Sequence, residues 1–374
     1  MGKYENFDLT YVTIDSLSEG VGSSQILPLV SFLSKSGLKI KLISYEKLLP
    51  DLQLRDDLKS IGVDWDSRPF VSNGLLGGLE RLNDLRKAIP KTRLIHARSD
   101  IPAVSAITSG QAPVLWDVRS LWADQKILIQ KNLFNSAAYP LYRSLESIAA
   151  RKSSAMSTLT SAVVPVLEQR HKRLPSLRTV VPTAVNLSRF KLNANMPAKI
   201  QALFSGTFND YYDLDLSRLF MQEFGRQISV ETHWARPIES HRSHIGVGES
   251  KVFPSSQTAM AHLIPNYSFG VSVCKLNAGP SLTAAMPTKI GEFLACGRPI
   301  VVNKGLGDMD RLIKEFDAGV ILDGSPDNLL QSASKLANLL LDPETPLRCR
   351  ALAEKYFSME NGAKKYLDLY FQIL

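Results

Sequence analysis

Residues 286–302, MPTKIGEFLACGRPIVV, constrain the fold more than any other stretch of the chain. Pro287 suits the first position of a helix, where its missing N–H costs nothing and its φ is preset. The spacing predicts a helix running to Cys296, with Gly297 as the left-handed residue after it and Pro299 blocking continuation. The apolar run 300–302 then reads as a buried strand, so a short helix feeds a parallel sheet. Thr288 and Glu292 are four residues apart and share one helical face. The free N–H groups around Thr288 and Lys289 form an anion site, and Glu292 lies one turn further in on the same side. A ligand with phosphate at one end and vicinal hydroxyls at the other fits that pattern, which describes a nucleotide. The plainer alternative is an ordinary helix–strand unit whose Glu292 is solvated and favoured near the N-terminus by the helix dipole.

This stretch resembles the donor-site helix of glycosyltransferase family 4, the retaining, sugar-nucleotide-dependent enzymes of GT-B fold. The resemblance implies that the helix N-terminus (Pro287, Thr288, Lys289) takes a diphosphate and that Glu292 holds the donor ribose. Many members carry a second Glu eight residues earlier; Ala284 stands there in this chain, as in a subgroup with P-x-K-x-x-E-[YF]-L-A and no first Glu.

The chain has 374 residues, 44% hydrophobic and 21% charged, which predicts a globular protein of two domains. The first eight residues are polar and charged, unlike a secretory leader, and no apolar run approaches the ~18 residues of a membrane span. Three cysteines without C-x-x-C spacing point to a reduced, cytoplasmic compartment and away from structural zinc. A net charge of +8 suits an anionic ligand, an acidic membrane or nucleic acid. The absence of zinc-finger spacing, aromatic ribonucleoprotein motifs and long basic runs argues against nucleic acid.

In the first half, residues 7–14 read as a strand, 16–25 as a loop containing Gly20 and Gly22, and 23–36 as a helix tilted by Pro28. With Gln25 where a third glycine would stand, this is not a dinucleotide fingerprint. The family resemblance places Gly22 and Ser23 against donor phosphate and acceptor. Further strands are expected at 38–44, 62–65, 93–97, 113–116, 156–160 and 178–181, with helices at 51–60, 79–88, 125–152 and 161–174. Two strands end in HARSD (96–100) and DVRSLW (117–122), at the carboxyl edge where open α/β sheets bind ligands. These segments resemble the family's "H-A-R-S" and "D-x-R-x-x-W", which makes His96, Asp117 and Arg119 catalytic or acceptor-orienting candidates. A structural imidazole and a plain Asp117–Arg119 ion pair are the alternatives. The basic and apolar helix 125–152 reads as a solvated face over a core, or as a surface resting on an anionic membrane. VPTAVN at 181–186, with Phe190, resembles the family's hinge.

The second half restarts the alternation. The strand 200–204 ends in Ser205-Gly206-Thr207, where Gly206 and Thr207 permit close approach of a ligand. The family's Arg and Lys diphosphate clamp would follow, but residues 208–213 are FNDYYD, so Arg236 and Lys289 are the cations expected to replace it. Residues 250–253 read as a strand, and the family resemblance implies that this segment, at Val252 and Phe253, gives backbone hydrogen bonds to the nucleobase. Helix 257–264 and strand 267–274 precede a small-residue loop, 275–285, over the donor site; a strand at 319–322 and helices at 327–341 and 351–357 follow.

The expectation is therefore α/β, GT-B: an N-terminal acceptor-side domain, 1–190 with the terminal helix 358–374, and a donor-binding domain, 191–357, each a doubly wound Rossmann-like parallel sheet, facing across a cleft. The resemblance implies a metal-independent retaining hexosyltransferase with no cofactor. Its donor would be an NDP-sugar, a UDP-sugar by the family's base rate. Its acceptor would be a saccharide or lipid-linked molecule in polysaccharide or glycoconjugate synthesis, with peripheral contact at the inner membrane face as an added option. A sugar-nucleotide epimerase and a non-catalytic nucleotide- or glycan-binding partner are the alternatives.

Overall fold

The computed structural model describes residues 7–18, 20–72, 74–129, 133–236 and 250–374. The expected positions 1–6, Glu19 of the glycine loop, Asn73 and residues 130–132 lie outside the described residues. The chain divides into two compact units, Met1–Val181 with Met359–Leu374, and Pro182–Ser358. Residues 182–190, expected with the first half, group with the second. The reason is local pairing: Val185 N–H donates to the Phe357 carbonyl at 2.7 Å, and Thr183 Oγ1 donates to the Met286 carbonyl at 2.7 Å.

Among the described residues the first unit holds seven parallel strands: β1 (Phe7–Val12), β2 (Ile40–Glu46), β3 (Val63–Pro69), β4 (Thr92–Arg98), β5 (Val114–Val118), β6 (Ala155–Thr158) and β7 (Leu177–Val180). Their order is β3-β2-β1-β4-β5-β6-β7. The second holds six: β8 (Gln201–Ser205), β9 (Glu231–Arg236), β10 (Ser250–Pro254), β11 (Phe269–Ser272), β12 (Ile300–Asn303) and β13 (Gly319–Leu322), ordered β10-β9-β8-β11-β12-β13. All the ladders are parallel. Strand order reverses between β1 and β4 and between β8 and β11, and such switch points are where doubly wound sheets open for ligands. Strands buried on both faces read as continuous apolar runs; all five residues of β5 and all four of β12 are buried.

Several elements differ from the sequence reading, for identifiable reasons. The helix expected at 23–36 begins as a wide π turn, Gly22–Ile26, and becomes regular only at Leu27–Lys35. Pro28 has no N–H to continue the ladder, and Leu27 N–H bonds back to the Gly22 carbonyl, one residue wider than α. The helix expected at 79–88 begins at Gly74. Asp100–Ser109 is helical without having been expected, and Pro102 sits in its first turn, where a missing N–H is harmless. The long basic helix, expected at 125–152, is described at Trp122–Ile129 and Leu133–Lys152, on either side of the undescribed residues 130–132. The terminal helix, Met359–Ile373, belongs to the first unit, where Lys365 Nζ donates to the Val180 carbonyl at 3.0 Å.

In the second unit Phe204 stacks on Trp234, ring centroids 4.4 Å apart, within a continuous aromatic and aliphatic core. The helix Thr288–Ala295 lies directly on β11. A Cβ on Gly270 would come within 2.5 Å of the Phe293 ring, so this glycine sets how closely the helix approaches the sheet.

Candidate active site

The helix Thr288–Ala295 starts one residue later than expected, with Pro287 as N-cap at φ −58° and ψ 131°. Gly297 takes the expected left-handed conformation, φ +78°. Among the described residues no side chain caps the N-terminus, and no acidic residue occupies the helix's first turn, so the N–H groups at Thr288 and Lys289 are open to an anion there.

Lys289 is 8% exposed, and its Nζ has no hydrogen-bond partner among the described residues. Two aromatic faces hold the ammonium instead: Tyr212 at 4.1 Å and Phe208 at 4.8 Å from the ring centroids. Burial pushes its pKa down to about 8, against the opposing pull of Cys274 and Glu292. Gly206 closes the other side at φ +101°, and a Cβ there would stand 3.6 Å from Lys289 Nζ. The switch point between β8 and β11 thus ends in a glycine over a buried cation. Thr207 beside it is exposed.

Arg236, the last residue of β9, is also buried, with its guanidinium carbon 5.7 Å from the Phe208 centroid. Both expected replacement cations therefore meet on one ring. Two hydrogen bonds fix the loop that carries Phe208 and Tyr212: Asp213 N–H to the Val273 carbonyl, and Lys275 N–H to the Tyr211 carbonyl, each at 3.0 Å. Sequence reasoning took FNDYYD as missing its cations and did not see that its rings seat two others. The only available signal was aromatic content at a strand end.

Glu292 sits one turn into the helix at 7% exposure. Burial raises its carboxyl to about 7, while Lys289 and Arg189 pull it back. Ala284, where many family members have Glu, is 1% exposed after the short helix Pro280–Thr283. Val252 and Phe253 lie on β10, the outer strand of the sheet among the described residues.

In the first unit, the expected candidates form a buried network. His96 is fully buried; its Nδ1 contacts Tyr370 Oη at 2.6 Å and its Nε2 lies 3.3 Å from Asp117 Oδ2. Asp117 Oδ1 accepts from Ser157 Oγ at 2.8 Å and Tyr366 Oη at 3.1 Å, with Arg119 at 3.5 Å. Burial alone would raise the Asp117 pKa, but Arg119, His96 and Arg98 hold it well below the usual carboxylate range. Burial lowers the His96 pKa, which keeps the ring neutral. Arg98 in turn bonds Asp15 at 2.9 Å. The terminal helix supplies both tyrosines, a partnership invisible in the HARSD and DVRSLW segments themselves.

Gly22 is buried, and a Cβ on it would fall 1.9 Å from the Ser16 carbonyl oxygen. The close approach it permits is therefore to its own chain. Glu46 fixes that loop, accepting from Ser16 Oγ at 2.5 Å and from Leu17 N–H at 3.0 Å. Ser23, in the π turn, donates to the Gly20 carbonyl at 3.2 Å.

No family model and no curated protein matches the sequence. Solved structures do match. Sucrose-phosphate synthase from Thermosynechococcus elongatus aligns with a TM-score of 0.69 at 14% identity, covering 98% of this chain and 98% of that one. The fold is GT-B. A glycosyltransferase from Rickettsia africae gives 0.68 at 15% identity, covering 99% of each chain. HepE from Anabaena in complex with UDP gives 0.67 at 11% identity, covering 98% of this chain and 100% of that one. At such identities the likeness is one of architecture, and the chemistry rests on the residues above.

Proposed function

We propose that the chain is a retaining glycosyltransferase that moves a hexosyl group from a UDP-sugar to a hydroxyl of a saccharide or lipid-linked acceptor, without a metal, in polysaccharide or glycoconjugate synthesis. One observation carries this reading: a buried ammonium, Lys289, without a hydrogen-bond partner among the described residues, at an uncapped helix N-terminus beneath Gly206, with the Glu292 carboxyl one turn further in. Positive charge without a carboxylate partner in a buried site is costly until an anion completes it. The order along the helix, open N–H groups and ammonium first and carboxyl one turn later, suits a diphosphate followed by a ribose. HepE, whose fold this chain shares, has also been solved with UDP-glucose, which supports uridine as the base.

In the reaction the bond from the anomeric carbon to the β-phosphate oxygen breaks as the sugar gains oxocarbenium character. The acceptor oxygen bonds to the same face, and its proton passes to the departing phosphate. The charge growing on that phosphate is met by Lys289, Arg236 and the N–H groups at Thr288 and Lys289. These fixed cations do the work a divalent ion does elsewhere. The Glu292 carboxylate takes the ribose hydroxyls, and the outer edge of β10 at Val252 and Phe253 reads the base. His96 and Asp117 are assigned as positioning residues, because both are buried and act through Arg98 and Arg119 at the strand ends.

Calorimetric titration with UDP, GDP and ADP in EDTA tests the proposal. UDP is expected to bind alone among the three and to lose ~10-fold or more in affinity in Glu292→Ala, as one charge-assisted hydrogen bond is worth ~1.5–3 kcal/mol. Binding of none of them by folded protein refutes the donor site. Turnover of UDP-sugar without any acceptor would support epimerisation instead.

A further inference from the structure

The first unit holds an apolar pocket at the carboxyl edge of its sheet. Ile14 follows β1, Phe70 follows β3, Ile101 follows β4 and Trp122 follows β5; Leu82 and Leu145 complete the wall. Two cations line it. Arg81 is 8% exposed, its guanidinium carbon lies 4.1 Å from the Phe70 ring centroid, and its Nε is buried without a hydrogen-bond partner. One Arg81 N–H donates to the Ser72 carbonyl. Lys126 Nζ rests 5.3 Å from the Trp122 ring and 5.5 Å from the Tyr142 ring, and burial together with Arg81 lowers its pKa. Among the described residues neither cation has an ion-pair partner; the exposed Glu80 is the one carboxylate acting on Arg81.

The rim is apolar as well. Leu79 and Leu141 line the pocket at 44% and 39% exposure, and Val71 and Leu76, next in sequence to the lining residues Phe70 and Leu75, are 72% and 79% exposed. Single exposed leucines are ordinary, but a contiguous group at a pocket mouth marks a binding surface. An apolar cavity with two convergent cations calls for a ligand with a hydrocarbon body and a multiply charged anionic head.

We propose that this pocket takes the hydrocarbon chain of a lipid phosphate, with Arg81 and Lys126 on its headgroup. If the chain is a glycosyltransferase as proposed above, this ligand is the lipid of its acceptor; that role rests on the donor-site reading, while the binding site itself does not.

The test is calorimetric titration of the full chain with decyl phosphate below its micellar concentration, with decanol and inorganic phosphate as controls, and UDP titrated into the same samples. Decyl phosphate is expected to bind at least ~10-fold more tightly than either control, since both parts of the ligand contribute. Lys126→Met should lose most of that preference over decanol. Arg81 also supports Ser72, so Gly78→Leu is the safer second variant. Gly78 lies in a helix, and a Cβ there meets only Ile101 Cδ1 at 3.5 Å, an ordinary contact. Its leucine should fill the pocket and abolish decyl phosphate binding while leaving UDP affinity unchanged. Decanol binding as tightly as decyl phosphate, inorganic phosphate binding equally well, or decyl phosphate binding unaltered in both variants would each overturn the proposal. UDP binding without decyl phosphate binding removes this site and spares the donor site; the converse removes the donor site alone.

Discussion

If Lys289 meets the donor diphosphate, donor affinity must depend on pH in a direction fixed by its burial. In the free protein the ammonium pKa falls from 10.5 to about 8, because burial disfavours the charge more than Cys274 and Glu292 favour it. A bound diphosphate supplies the missing counter-charge and moves the pKa back up. The free protein therefore loses its proton as pH rises through about 8 while the complex keeps its own, so affinity falls above that point. Full restoration is worth ~3.4 kcal/mol at ~1.36 kcal/mol per pH unit, which is an upper bound. Between pH 7.5 and 8.5, where the uracil ring is still largely un-ionised, the expected loss is ~3-fold. Titration of UDP at several pH values, in paired buffers of different ionisation enthalpy, reads both the slope and the proton taken up on binding. Lys289→Met should bind more weakly and without this slope. A pH-independent affinity in the wild-type protein, or the same slope in Lys289→Met, would refute the placement of this ammonium on the diphosphate.

Glu292→Gln should stabilise the unliganded protein while weakening UDP binding. The Glu292 pKa is raised to about 7, so its cost is absent below about 4.5 and complete above about 7. The gain, up to ~3 kcal/mol at pH 8, should vanish near pH 4.5 in urea melts. Gly270→Ala should cost ~1–3 kcal/mol and, if the donor binds as proposed, weaken UDP binding as well, because its Cβ drives Phe293 and the helix Thr288–Ala295 off β11. Tyr370→Phe leaves His96 Nδ1 without its 2.6 Å partner and should cost ~1–1.5 kcal/mol in denaturant titration, with UDP affinity unchanged. Asp100→Asn should raise Tm at pH 8 more than at pH 5: burial and the nearby Glu146 push this carboxyl up to about 8, so the ionised form costs stability as pH rises from about 4 towards that value.

What the sequence revealed and what it hid divide along one physical line. The alternation of strands and helices was legible because parallel strands buried on both faces must be apolar runs, and β5, β12 and β13 appear as such. The helix Thr288–Ala295 was legible because its start, stop and two polar positions lie close together and obey local rules of capping and periodicity. The partners of those polar positions were not. Phe208 and Tyr212 reach Lys289 only because β8 and β11 are neighbours in the sheet, and nothing in FNDYYD states that.

The same limit explains the HARSD and DVRSLW segments. Each places an Arg beside a His or Asp at a strand end, which is what a substrate site needs, but it is equally what a buried anchor needs. The deciding groups, Tyr366 and Tyr370, lie on the terminal helix, far along the chain from His96 and Asp117. Both ring nitrogens of His96 and both oxygens of Asp117 have neighbours within the first unit, so a proton moved at either would break a contact that holds the terminal helix to the sheet. Lys289 is the opposite case: buried to the same degree as a core residue, yet lacking any hydrogen-bond partner among the described residues. Burial was common to both clusters; what separated them was whether charged neighbours already stood beside the buried group, as His96, Arg98 and Arg119 do around Asp117, a property of the folded chain alone.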